Sequence, residues 1–220
     1  MATTASTAAH TSLGSVTLEV ADLEGARRFY SAFGVDTYIH LRASETPSTG
    51  FRGFTLALTV SGPATVDGFF GAAVAAGATV LKPAAKSLWG YSGVVQAPDG
   101  TIWKIATSAK KNTGPATRQI DDIVLLIGVE AVKATKQFYL DQGLSVAKSV
   151  GSKYVEFTPG QPGAVKLALY KRRALAKDLG VPAEGTGSHR ITLTSSTAGA
   201  FTDLDGFAWE MAAPPAPTSS

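Results

Sequence analysis

Alternating hydrophobic and polar positions predict a short strand followed by an amphipathic helix near the start of the chain. Residues 15–20 place every second side chain on an apolar face, which is typical of a half-buried strand. Asp22 can cap the helix that follows, and Gly34 can end it in a left-handed conformation. The apolar positions of this helix, at the spacing i, i+3, i+4 and i+7, are Ala26, Phe29, Tyr30 and Phe33.

The same patterns predict a series of elements on each side of a polar linker, residues 108–117, which contains Gly and Pro. Before the linker we expect strands at 37–42, 54–60, 79–81, 91–96 and 102–106, with a helix at 65–76. After it we expect strands at 122–128, 145–149, 154–157, 165–170 and 190–195, a helix at 131–142 and a hairpin at 201–212. Residues 43–50 are predicted to form a polar loop, and residues 171–187 a loop with one helical turn.

Two short motifs occur twice, which indicates an internal repeat. The hairpin turn Pro-Asp-Gly-Thr-Ile-Trp at 98–103 has a counterpart, Asp-Gly-Phe-Ala-Trp, at 205–209. A Phe-Tyr pair followed by glycine occurs at 29–34 and again at 138–143. The chain therefore reads as two related modules.

The composition is that of a globular protein without cysteine chemistry. Of the 220 residues, 45% are hydrophobic and 17% are charged, which argues against a disordered chain. The lack of cysteine excludes disulfides, thiolate metal sites and cysteine nucleophiles. The formal net charge of +3 is too small to indicate a nucleic-acid partner, and the short basic runs at 110–111 and 171–173 read as solvated loops.

The two ends of the chain, residues 1–11 and 213–220, are rich in small residues and proline and are expected to be disordered. The N-terminal stretch lacks the basic start and apolar core of a signal peptide. No segment approaches the roughly 20 apolar residues that a membrane span needs. We expect a cytoplasmic protein with no membrane partner.

Two stretches together resemble a known superfamily. Residues 89–106, Trp-Gly-Tyr-Ser-Gly followed by a strand and the Pro-Asp-Gly-x-x-Trp hairpin, are one of them. The other is the strand and helix of residues 16–30. In this order they resemble the glyoxalase/bleomycin-resistance/extradiol-dioxygenase proteins, also called vicinal oxygen chelate proteins.

The resemblance implies an α+β fold in which repeated βαβββ units form curved mixed sheets, or cups, with helices on the convex face. We expect a glyoxalase-like module at 12–107 and a truncated one at 118–212. Within them, the units 54–107 and 120–170 look complete, whereas 15–43 and 189–212 look trimmed. The two complete units could pair with each other and form one full cup, or units could pair in sequence order and form two poorer cups. Both arrangements stay open.

Enzymes of the superfamily hold a divalent metal with His or Glu at four positions of the cup. In the first module the matching positions are Ser15, Thr55 and Lys104, and the fourth one falls in a strand that is missing. In the second module they are Asp122, Ala168, Arg190 and Glu210. Only Glu210 matches the family ligand, and the cation of Lys104 would repel a metal. We therefore expect no cofactor. The one alternative metal set is Asp122, His189 and Glu210.

Strand alternation and the resemblance together predict the residues that line the ligand site. They are Thr55, Ala57, Trp89, Tyr91, Lys104, Val124, Leu126, Ala168, Tyr170 and Arg190. If the complete units pair, all of these residues except Lys104 and Arg190 are expected to line the main apolar pocket. Trp103 and Trp209 alternate with these positions and are expected to pack against the helices.

Three functions remain open at this point. The first is a metal-independent binding protein, similar to superfamily members that sequester antibiotics, which binds a small molecule as a monomer or homodimer. The second is an enzyme, either a metal-dependent lyase, isomerase or dioxygenase, or a cofactor-free isomerase with Glu19, Asp122 or Glu210 as its base. The third is an interaction module whose trimmed units expose sheet edges.

Overall fold

The computed structural model describes residues 11–212, and its strands form three sheets. The helices are α1 (Leu23–Phe33), α2 (Pro63–Ala75), α3 (Val132–Asp141) and α4 (Arg172–Leu179). The strands before the linker are β1 (Leu13–Val20), β2 (His40–Ala43), β3 (Ser48–Gly50), β4 (Phe54–Thr59), β5 (Thr79–Ser87), β6 (Gly90–Gln96) and β7 (Ile102–Thr107). Those after it are β8 (Asp122–Val129), β9 (Val146–Val150), β10 (Tyr154–Phe157), β11 (Lys166–Lys171), β12 (Gly185–Gly187), β13 (Ile191–Ser195), β14 (Phe201–Thr202) and β15 (Ala208–Met211).

The largest sheet combines strands from both sides of the linker. Its order is β5-β6-β7-β4-β8-β11-β10-β9, so the two complete βαβββ units meet edge to edge. They join where β4 runs antiparallel to β8, with Phe54 opposite Ile127 and Thr59 opposite Asp122. Of the two arrangements that the sequence leaves open, the observed one is therefore the pairing of the two complete units.

The trimmed units form a second, five-stranded sheet of order β14-β15-β13-β1-β2. Strand β1 from the start of the chain runs antiparallel to β13 near its end. The third sheet is the short pair β3 and β12. Sequence analysis missed this pair, because each strand has three residues and neither carries an apolar alternation.

The caps of the first helix are those expected from the sequence. Asp22 accepts a hydrogen bond from the backbone N–H of Gly25 at 2.9 Å. Gly34 ends the helix with φ of 87°, a left-handed conformation that favours glycine. The predicted hairpin is also confirmed: Gly100 adopts φ of 88° in the turn between β6 and β7, and Asp99 accepts from the N–H of Thr101.

Two aromatic clusters fill the core between the helices and the sheets. Trp103 and Trp209 are 0% and 1% exposed, as predicted for side chains that face the helices. Trp103 packs against Tyr30 and Phe33 of α1, with ring centroids 5.8 and 5.3 Å apart. In the second cluster, Trp209 packs edge-on against Tyr139 of α3 at 5.4 Å.

A buried tyrosine–aspartate bond recurs in both clusters. The hydroxyl of Tyr30 donates to Asp99 at 2.7 Å, and that of Tyr139 donates to Asp203 at 2.5 Å. Burial, followed by the charge of its aspartate, raises the pKa of each phenol well above its usual range. Each copy of the repeat thus bonds a helix tyrosine to an aspartate in the turn before the buried tryptophan, although Asp203 lies two residues before the position that matches Asp99.

Residues 171–187 are not the predicted loop with one turn, because α4 occupies Arg172–Leu179. Its apolar residues Leu175, Ala176 and Leu179 are all buried, and tertiary packing stabilises a helix that is short and otherwise polar. The ends of the chain predicted to be disordered lie outside the described residues, apart from Thr11, which is buried and bonds to the carbonyl of Gly143. In the described range, no helix is long and apolar enough to cross a membrane.

Candidate functional site

One face of the eight-stranded sheet brings together most of the residues predicted to line a ligand site. Residues directly opposite each other on paired strands point to the same side. Thr55 lies opposite Leu126, and Ala57 lies opposite both Val124 and Lys104. Ala168 lies opposite Leu126 on the other side of β8. We call this surface, which carries Thr55, Ala57, Lys104, Val124, Leu126, Ala168 and Tyr170, the cup face.

The opposite face of the same sheet packs against helices. Trp103 and Val95 belong to the main core with α1 and α2, whereas their neighbours Ile102 and Val94 belong to a separate cluster. Because successive strand residues point to opposite sides, this second cluster lies on the cup face. The cup face therefore has an apolar core of its own.

Helix α4 lies on the cup face, where a ligand of the fold would be expected. Leu175, Ala176 and Leu179 are at most 1% exposed and cluster with Val94 and Ile102. Leu126 and Tyr170, two of the predicted ligand-binding residues, pack against the same cluster. The chain's own helix thus occupies part of the space that sequence analysis assigned to a ligand.

Charged side chains hold both ends of α4. The ammonium of Lys82 donates to the carbonyls of Lys177 and Asp178, at 3.1 and 2.5 Å, where the negative end of the helix dipole lies. Lys104 pairs with the carboxylate of Asp178 at 2.6 Å. At the other end, the guanidinium of Arg172 donates to the carbonyl of Phe51 at 2.7 Å.

Gly128 allows α4 to approach the sheet closely. A side chain at this position would place its Cβ 3.0 Å from the carbonyl oxygen of Gly53 and 3.1 Å from the Cα of Arg172. Both contacts are to backbone atoms, which cannot move aside cheaply. A side chain here would therefore fit only if the backbone of Gly53 or Arg172 moved by a few tenths of an ångström.

A cavity of about 330 Å³ remains beside the C-terminal end of α4. Trp89, Lys82, Lys104 and Asp178 contribute to its walls. Trp89 is 84% exposed at the turn between β5 and β6, so its indole is available at the mouth of the cavity. Trp89 is thus placed to contact a molecule in this cavity.

The other aromatic residue, Tyr91, does not point into the cup. Its hydroxyl donates to Asp67 of α2 at 2.8 Å, and α2 covers the opposite face of the sheet. Tyr91 is therefore directed away from the cup face, because the register of β6 turns positions 91, 93 and 95 toward the helix, although it still contributes to the wall of the cavity.

The five-stranded sheet carries a separate group of charged residues. The guanidinium of Arg42 binds both oxygens of Glu210, at 2.9 and 2.8 Å, and lies 3.9 Å from Glu19. The hydroxyl of Thr192 donates to Glu19 at 3.0 Å. The hydrogen bonds from Arg42 lower the pKa of Glu210, which makes this carboxylate a weaker base.

The positions that match the metal site of the superfamily do not fit a divalent cation. On the cup face, Lys104 is paired with Asp178, the Thr55 hydroxyl donates to the carbonyl of Ile102, and Ala168 has no side-chain donor atom. On the five-stranded sheet, the carboxylate of Glu210 already forms an ion pair with Arg42. Within residues 11–212 no group of three His, Cys, Asp or Glu side chains is arranged to hold a metal ion.

The alternative metal set of Asp122, His189 and Glu210 is not brought together. Asp122 lies on the eight-stranded sheet and pairs with Lys166 at 2.8 Å, whereas Glu210 lies on the five-stranded sheet. The imidazole of His189 stacks on Phe207, and its nitrogens contact the carbonyls of Arg52 and Asp205 at 2.5 and 3.0 Å. Each residue is engaged elsewhere, so this combination was wrong.

Arg190 also lies apart from the other predicted ligand-binding residues. It precedes β13, and its backbone carbonyl accepts from the N–H of Glu19 at 3.0 Å. Its side chain lines a different cavity together with Arg52. His189 is not part of the five-stranded sheet either, since β13 begins at Ile191.

Comparison of the structure with solved structures identifies the fold. Glyoxalase I from Zea mays aligns over 90% of this chain and 91% of its own, with 12% sequence identity and a TM-score of 0.56. A V278E mutant of the same maize enzyme aligns over 91% and 92%, with 13% identity and a TM-score of 0.56. The chain has the fold of glyoxalase I. The resemblance seen in the sequence is confirmed at this level.

The sequence itself carries little of this similarity. No protein-family model matches the chain, and no curated protein matches it. The similarity to glyoxalase I is therefore one of fold.

The residues that sequence analysis missed are those of α4 and its anchors. Leu175, Ala176 and Leu179 have the spacing i, i+1, i+4, and Gly180 ends the helix in a left-handed conformation with φ of 80°. This pattern is the usual signal for a short amphipathic helix that ends at glycine. Nothing in the pattern indicates that the helix would lie on the cup face.

Proposed function

We propose that this protein binds a small molecule on the cup face without a resident metal, and sequesters it rather than converting it. One observation carries the proposal: the cup is lined by Ala57, Val124, Leu126 and Tyr170, and it already buries the apolar side chains of α4. A surface that buries Leu175 and Leu179 is suited to an apolar ligand.

The charges of the cup favour binding over catalysis. Lys104 is neutralised by Asp178, and Asp122 by Lys166. These four charged groups already have partners within the protein. The cup therefore offers shape, apolar walls and an aromatic rim.

The open cavity beside α4 defines the class of ligand. Its exposed indole, Trp89, offers a flat surface for an aromatic ring, and its volume of about 330 Å³ fits a molecule of a few rings. An aromatic compound of this size, such as an antibiotic or a metabolite, is the proposed ligand.

Binding of 1-anilinonaphthalene-8-sulfonate tests this proposal, because its ring system fits the description and its fluorescence reports burial. We expect saturable binding at one site, with energy transfer from Trp89. Trp89→Ala is expected to weaken binding about three- to tenfold, the range for one aromatic contact. Leu88→Ala removes a neighbour that is 77% exposed and does not line the cavity, so it is the matched control.

Two results would contradict the proposal. One is the absence of saturable binding to the wild-type protein. The other is equal affinity of wild type and Trp89→Ala, which would place the dye elsewhere. A metal-dependent lyase, isomerase or dioxygenase is the competing function, and elemental analysis of the purified protein distinguishes the two.

A further inference from the structure

A second cavity lies outside the cup. Its volume is about 650 Å³, and its walls include Ala26 and Phe29 of α1, Pro98 of the hairpin turn, and the side chains of Arg52 and Arg190. Neither α4 nor any residue of the cup face lines it. It is therefore a separate space, lined by apolar side chains, by Arg52, Arg190 and Arg28, and by the carboxylates Asp22 and Asp99.

Each of the two arginines has an unpaired, buried donor. Arg52 uses Nη2 to donate to the carbonyl of Asp99 at 2.6 Å, while its Nη1 is buried without a hydrogen-bond partner. Arg190 uses Nη1 to donate to the carbonyl of Ser44, while its Nε is buried without a partner. A buried N–H of a charged group that lacks a partner is costly, so the two donors need an acceptor.

The protein does not neutralise these two charges with its own carboxylates. Among residues 11–212, neither Arg52 nor Arg190 forms an ion pair. Asp99 lies nearby, but its carboxylate already accepts from the hydroxyl of Tyr30 and the N–H of Thr101. Burial lowers the pKa of the Arg52 guanidinium, Asp99 opposes this, and the charge of Arg190 lowers it further. The two guanidinium groups are thus close enough to repel each other.

Strained backbone supports the position of Arg190. Its φ of 56° is the one positive value found for a non-glycine residue in the described part of the chain. This conformation is unfavourable for a side chain of this size and persists where surrounding contacts enforce it. Here the N–H donates to the hydroxyl of Ser188 at 3.0 Å, and the carbonyl accepts from Glu19. These hydrogen bonds therefore hold Arg190 in an unfavourable backbone conformation at the wall of the cavity.

We propose that the cavity between α1 and the Pro98–Asp99 turn is a second binding site, in which Arg52 and Arg190 together bind a small organic anion. The ligand has a carboxylate or phosphate group, which accepts from both guanidinium groups, and a small apolar body, which packs against Ala26, Phe29 and Pro98. Guanidinium groups suit these anions because their donors match two acceptor oxygens at once. The site does not depend on the ligand proposed for the cup.

Isothermal titration of the full chain with benzoate and with benzamide tests the site, because the two probes share a shape and differ in charge. We expect benzoate to bind saturably at one site and benzamide to bind at least about tenfold more weakly, as the loss of charge-assisted hydrogen bonds requires. Equal affinity for the two probes, or no saturable binding of benzoate, would overturn the proposal.

Variants then assign the anion to the two arginines. Arg52→Gln and Arg190→Gln are each expected to weaken benzoate binding about tenfold or more. Arg27→Gln removes the same charge from an exposed position outside the cavity, where Arg27 pairs with Glu24 at 3.6 Å, and should leave affinity unchanged. Wild-type affinity in either of the first two variants would refute the assignment.

Separate control experiments test whether each variant folds and whether benzoate binds in the cup instead. Circular dichroism checks each variant, and where a glutamine variant does not fold, the lysine variant at the same position decides. Arg52→Lys and Arg190→Lys keep the charge but lose the two-pronged donor, so weakened benzoate binding supports the site and unchanged binding refutes it. Trp89→Ala should leave benzoate affinity intact, so failure of the cup proposal and failure of this one are distinguishable.

Discussion

Residues 1–107 and 118–220, expressed as separate chains, are expected to aggregate alone and to form one folded complex when they are refolded together. The reason is that neither sheet belongs to one half. Six residue pairs join β4 to β8, and five join β1 to β13, so each half would expose two open sheet edges with apolar faces. The first half would also leave the cup face bare, since α4 belongs to the second half.

Size-exclusion chromatography and circular dichroism of the separate and mixed halves measure this effect. The matched control is the intact protein cleaved within 108–117 after folding, which should stay together because the cut breaks no sheet. Halves that are each soluble, folded and monomeric would contradict the strand pairing described above.

Trp103→Ala and Trp209→Ala are each expected to lower the free energy of unfolding by about 3–5 kcal/mol, the usual cost of removing a large buried aromatic side chain. Both side chains are buried between helix and sheet. Trp209 also donates from its Nε1 to the hydroxyl of Tyr139 at 3.3 Å, whereas the Nε1 of Trp103 has no partner. Urea denaturation of each variant gives the comparison.

The third tryptophan supplies the control for this series. Trp89 is 84% exposed, so Trp89→Ala should change the free energy of unfolding by no more than about 0.5 kcal/mol, as is usual at the surface. If Trp89→Ala greatly lowered the free energy of unfolding and Trp209→Ala left it unchanged, the assignment of Trp209 to the buried face and of Trp89 to the surface would be wrong.

Local structure could be predicted from the sequence wherever the signal is itself local. Asp22 and Gly34 delimit α1, and the Pro-Asp-Gly turn defines the β6–β7 hairpin, because caps and turns depend on a few adjacent residues. The pairing of β4 with β8 could not be chosen from the sequence. It depends on which apolar edges meet across the linker, and alternation alone fits both arrangements.

Part of the candidate site could be predicted from the sequence, because alternation along a strand is a local signal. Alternation placed Thr55, Lys104 and Leu126 on one face, which the register confirms. It failed for Tyr91, where the face depends on the register of β6, and it gave no warning of α4. Arg52 and Arg190 are far apart in sequence, and they line one cavity only in the folded chain.

The central claim is that the cup of this glyoxalase fold works without a resident metal. Elemental analysis of the protein, purified without chelators, measures this directly, together with its melting temperature with and without EDTA. Because Lys104 and Asp178, and Asp122 and Lys166, neutralise each other, we expect substoichiometric Zn, Ni, Mn and Fe and an unchanged melting temperature. One tightly bound metal per chain, with a melting temperature that falls in EDTA, would contradict the account and favour an enzyme.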